Sequence, residues 1–118
     1  MSRSPSRVVS LAVGGVLLLV GALGFTASAE NWLFGILSVN PMQNLLHLAI
    51  GAALIASGFS KHAPLLAALI GTVLLAVGIA GLLIISTPFN VIAVDGAANL
   101  LHFASAAVLL AVGLGARH

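Results

Sequence analysis

His47 and His102 are the two residues of this chain whose placement invites chemistry. Each closes an Asn-Leu-Leu-His tetrapeptide, Asn44 to His47 and Asn99 to His102. Both copies lie inside strongly apolar stretches. An Asn or His within a bilayer must find a partner or lower stability, so the doubled pair implies a paired polar site. An imidazole there can share a hydrogen bond, ligate a metal or haem iron, or pass a proton.

Helix geometry gathers these residues on one face. At about 100° per residue, Asn44, His47, Gly51 and Gly58 fall within about 60° of one another. Asn99, His102, Ala106 and Gly113 do the same, so each His sits among small residues and points at a neighbouring helix. Three uses compete. In the first, the Asn and His residues join an interhelical hydrogen-bond network that locks a bundle. In the second, His47 and His102 jointly hold a haem, a chlorophyll-type tetrapyrrole or a metal ion, with Asn44 and Asn99 orienting them or serving structure alone. The third is a proton or ion path. It is the weakest, because the first and third apolar stretches hold no ionisable residue to continue a relay.

Other chemistry is narrowed by what the chain lacks. With no Cys, thiolate metal sites, Fe–S clusters, disulfides and a Cys nucleophile are excluded. Glu30 and Asp95 are the only acids and read as loop residues, which leaves no third protein ligand for a catalytic zinc or iron. No G-x-S-x-G, P-loop or H-E-x-x-H pattern occurs. Gln43, one turn before His47, could orient it or simply begin a helix.

The elements that must position the pair are membrane spans. Hydrophobic residues make up 61% and charged residues 5% of the 118, with mean hydropathy +1.26. A soluble domain needs roughly a quarter charged residues, so the apolar surface must face lipid. Four continuous apolar runs, about Val8–Ala27, Pro41–Phe59, Pro64–Ser86 and Ala97–Gly115, each approach the ~20 residues that cross a bilayer as a helix. Punctuation agrees: Asn40-Pro41 and Asp95 cap the second and fourth runs, and Thr87-Pro88 ends the third. The formal net charge of +2 has no clustered basic face, so nucleic acid is not an expected partner.

The charges sort by side. Arg3, Arg7, Lys61 and Arg117 fall on one side of four spans, and Glu30 and Asp95 on the other. The positive-inside tendency then puts both termini in the cytoplasm of an inner, or plasma, membrane. Trp32 fits an interfacial anchor, and His62 and His118 flank spans on the cytoplasmic side. A secretory signal cleaved after Ala27-Ser28-Ala29 is the competing reading. The apolar run before it is longer than the 7–15 residues of a signal core, which disfavours cleavage.

The chain also repeats itself. Setting Phe34 on Phe89 aligns Val39 with Val94, Asn40 with Asp95, Asn44 with Asn99 and His47 with His102. The first and third spans align Gly14 with Gly71, Gly21 with Gly78 and Gly24 with Gly81. A two-span unit returns the chain to its starting side, so the halves, about 8–60 and 64–116, are expected to relate by an axis along the membrane normal. Leu and Ala identities, such as Leu54 with Leu109, carry little weight in apolar sequence. Small residues suggest how helices touch: Gly14/Gly21 and Gly71/Gly78 allow close approach, while Ala52/Ala56/Ser60 and Ala107/Ala111/Gly115 have small-xxx-small spacing. The latter are expected to pack inside the bundle, or else to form a homo-oligomer face.

The stretch Asn40-Pro-Met-Gln-Asn44-Leu-Leu-His47-Leu-Ala-Ile-Gly51, followed by Asp95-Gly-Ala-Ala-Asn99-Leu-Leu-His102, resembles a bacterial family of small four-span membrane proteins of unknown function. Its pattern is N-P-x-x-N-x-x-H-L-x-x-G in the second helix and D-N-x-x-H in the fourth. The resemblance covers the last two-thirds of the chain. Ala98 in place of Asp and Ala106 in place of Gly depart from it. It implies fold and topology and carries no activity.

The expectation is therefore one all-α integral membrane domain over residues 1–118, a four-transmembrane-helix bundle built from a tandem two-helix repeat. The favoured function is a non-catalytic accessory or scaffold subunit, working by helix packing in a larger membrane complex. The alternative is a haem-, chlorophyll- or metal-binding module that uses His47 and His102.

Overall fold

The computed structural model describes residues 5–25, 32–33, 37–38, 41–84 and 96–115. Four helices carry the fold: α1 (Pro5–Gly24), α2 (Pro41–Gly58), α3 (Ala63–Ile84) and α4 (Gly96–Gly115). A small antiparallel ladder, β1 (Trp32–Leu33) with β2 (Leu37–Ser38), lies between α1 and α2 and was not anticipated. Among the described residues α1, α3 and α4 are long and apolar enough to cross a membrane, and α2 is a shorter apolar helix. The expected caps Asn40 and Asp95, the Thr87-Pro88 stop, the Ala27-Ser28-Ala29 stretch, Glu30, and the outer residues Arg3, Arg117 and His118 lie outside the described residues.

The interior holds small and polar side chains around four leucines, and most large apolar side chains lie outside. Leu19, Leu45, Leu65, Leu83, Leu100 and Leu114 are each at least 60%, or close to it, exposed. A water-facing bundle inverts that distribution, whereas a lipid-facing one requires it. The chain is accordingly a membrane protein.

Two tight pairs make up the bundle, α1 with α2 and α3 with α4, and the contacts between pairs are far sparser. Glycine makes the pairs tight. A Cβ at Gly14 would stand 2.9 Å from the Gly51 carbonyl oxygen, and one at Gly51 would stand 2.8 Å from that of Gly14. In the other pair, a Cβ at Gly113 would come within 2.6 Å of the Ala68 nitrogen. Backbones this close gain dispersion contacts that larger residues would prevent, and in lipid such packing is a main driver of association.

Buried positions on α1 correspond to those on α3 at one constant offset. Ser6, Ser10, Gly14, Leu17, Gly21 and Gly24 face inward on α1; Ala63, Ala67, Gly71, Leu74, Gly78 and Gly81 do so on α3. Leu17, Leu54, Leu74 and Leu109, one from each helix, are all 0% exposed and belong to one packed cluster. Sequence comparison had set Leu identities aside as uninformative; two of these matched pairs are the core itself.

The outward small residues correct an expectation. Ala52, Ala56, Ala107, Ala111 and Gly115 are exposed rather than packed inside the bundle. Inside, glycines of all four helices, Gly14, Gly51, Gly71 and Gly113 among them, fill the close-approach positions, and the alanine stripes of α2 and α4 are turned to the surroundings.

Candidate functional site: the His47–His102 pair

Pro41 opens α2 at a position where its missing N–H is harmless, and this sets Asn44 and His47 in the first two turns. Asn99 and His102 occupy the corresponding turns of α4. All four are buried, at 2%, 1%, 3% and 0% exposure, as expected from the face that carries small residues. Gln43 is buried as well, at 0%.

The two histidines meet at the centre of the bundle. His47 Nε2 lies 3.4 Å from His102 Nε2, with ring centroids 5.6 Å apart and planes inclined by 55°. The α2 and α4 backbones themselves do not come into contact. The imidazoles thus bridge a diagonal that no backbone contact closes. Each Nδ1 is buried and has no hydrogen-bond partner among the described residues.

The asparagines work within the pairs instead. Asn99 Nδ2 donates to the Gly78 carbonyl at 2.9 Å, tying α4 to α3. The Asn44 amide lies against Gly24 so closely that a Cβ there would land on it. A glycine is needed at that point because nothing larger leaves room for the amide. Asn99 binds helix to helix inside a half, and the two His meet across the halves. That division of labour was not foreseen.

A second tie between the halves was missed from sequence. Ser6 Oγ donates to the Val112 carbonyl at 3.0 Å, joining α1 to α4 at the opposite end of the bundle. A Ser beside the N-terminus reads as a solvated residue, and only its one-turn spacing to Ser10 and Gly14 hints at an inward face. At that same end the Arg7 guanidinium stands 5.3 Å from the centre of the Phe59 ring. Arg7 and the α2–α3 turn holding Lys61 therefore share one end, as their charges suggested.

The residues around the pair do not fit a tetrapyrrole. Gly51, one turn beyond His47, would give a planar ring clearance on α2, but α1 occupies that space through Gly14 and Leu18. On α4 the equivalent place holds Ala106, itself packed in the core cluster. Among the described residues, the core cluster beyond the pair, with its four leucines, holds no titratable group. No cluster of three or more His, Asp, Glu or Cys side chains forms among the described residues.

A family model described as a domain of unknown function, DUF4383, matches residues 7–115. The chain belongs to the DUF4383 family. The match takes in α1 as well as the later helices, a wider reach than the Asn/His motifs alone suggested. No curated protein and no solved structure matches this DUF4383 chain.

Proposed function

We propose that this DUF4383 protein is a non-catalytic packing module of the membrane, an accessory or scaffold subunit that docks other membrane helices through its outer faces. The observation that supports this reading is the direction of its side chains. The buried Asn and His residues lie against other helices of the same bundle, while α2 and α4 present Ala52/Ala56 and Ala107/Ala111 outward. Small-xxx-small stripes let a second helix approach closely in lipid, where packing replaces the hydrophobic drive.

Isolation from the native membrane in mild detergent, followed by native mass spectrometry, tests the reading. The expected result is a defined assembly, with another protein or further copies, that Ala56→Leu or Ala111→Leu disperses while the subunit's own melting temperature holds. A stable monomer in native lipid would count against it.

A further inference from the structure

We propose that His47 and His102 together seat one first-row transition-metal ion of the zinc and copper group, ligated by their two Nε2 atoms. The inference goes beyond the docking role and stands independently of it.

The first support is the spacing. At 3.4 Å the two Nε2 atoms stand at the long end of what a hydrogen bond allows. Two metal–nitrogen bonds of about 2.0–2.1 Å that meet at a tetrahedral angle span about 3.4 Å. A modest turn of each ring aims both lone pairs at one shared point, with no backbone movement.

The second is the state each imidazole must adopt. A single hydrogen bond needs two unlike partners, one protonated on Nε2 and the other bare there. An ion takes two alike, both protonated on Nδ1. The two histidines share a tetrapeptide, a turn of the helix and near-complete burial. An ion preserves that equivalence, whereas a hydrogen bond breaks it.

The third is selectivity and access. Imidazole nitrogen suits zinc, copper, nickel and iron, whereas calcium and magnesium demand oxygen ligands. The four-leucine layer closes the bundle on one side of the pair, while Gln43, Asn44 and Asn99 line the other. With two protein ligands, the site leaves coordination positions open.

The test uses the whole chain in lipid nanodiscs, titrated with Co2+, whose visible bands report nitrogen ligation, and then with Zn2+ in competition. One Co2+ per chain, displaced by Zn2+, is expected. His47→Ala and His102→Ala should each weaken binding by more than about 100-fold, above the 10–100-fold cost of losing an outer-shell partner. His62→Ala, in the exposed α2–α3 turn, should change nothing. His47→Gln keeps a polar side chain and should lose Co2+ while still folding. If neither His47 variant folds, the wild type alone decides, since Zn2+ must then raise its melting temperature. Absence of Co2+ bands, binding that survives loss of the pair or disappears with His62 (an adventitious ion only), or no thermal effect of Zn2+ overturns the proposal.

Discussion

His47 and His102 touch across a diagonal on which their own helices do not meet, so two side chains carry a link that backbone packing leaves open. Interhelical hydrogen bonds in membranes are worth about 0.6 kcal/mol on average and up to about 1.7. In chelator, to keep metal out, a double-mutant cycle of His47→Ala and His102→Ala should give a coupling energy in that range. The denaturant midpoint of reversible unfolding in detergent measures it. Strict additivity would show that the imidazoles do not sense one another.

The glycines should divide into two classes. Gly14→Ala and Gly113→Ala push a methyl onto backbone and should each cost about 1–3 kcal/mol by overpacking. Gly15→Ala and Gly115→Ala meet nothing within 4 Å and should be neutral, or stabilising by up to about 1 kcal/mol through helix propensity. Thermal unfolding of the four variants side by side checks the division.

Asn99→Ala should loosen α4 from α3 by about 1 kcal/mol and leave the link between halves intact, because its bond runs to the Gly78 carbonyl. Disulfide trapping between Cys residues placed on α3 and α4 reads the first effect. The same experiment across α1 and α4, where Ser6 meets Val112, should be unchanged.

Reporter fusions at Lys61 and within residues 85–95 should localise to opposite faces of the membrane, with Lys61 on the cytoplasmic face. Both reporters on one face would defeat the four-span topology. An experimental structure should also superimpose residues 8–60 on 64–116 by rotation about an axis near the membrane normal, bringing His47 onto His102. An in-plane axis would refute the tandem arrangement.

The spans and the burial of Asn44, His47, Asn99 and His102 were open to reading because lipid imposes a crude rule, that a long apolar run is a helix and a polar residue within it must turn inward. Pro41 marked the α2 start for the same plain reason, its missing N–H. Helix contacts were harder to read. A helix packed in protein and a helix bathed in lipid are both apolar, so no polar face orients it, and Ala serves either surroundings. Ala52 and Ala107 were misplaced on that account, while Gly14 and Gly71, too small to be useful against lipid, were placed correctly. Ser6 and Ser10 were missed because a hydroxyl near a terminus looks hydrated. The sorting between interior and exterior is by volume here, and volume leaves a fainter trace in sequence than charge does.

The 18 residues of α2 reach only roughly 27 Å at 1.5 Å per residue, short of a hydrocarbon core of about 30 Å, whereas α3 has 22 residues. Such a mismatch is met by thinning the bilayer locally or by bringing another short span alongside, at a fraction of a kcal/mol per ångström. The bundle therefore carries a thin side and a thick side. Lipids with shorter chains, and spans of matching length, are drawn to the α2 flank, and membranes of different thickness should retain the protein to different degrees.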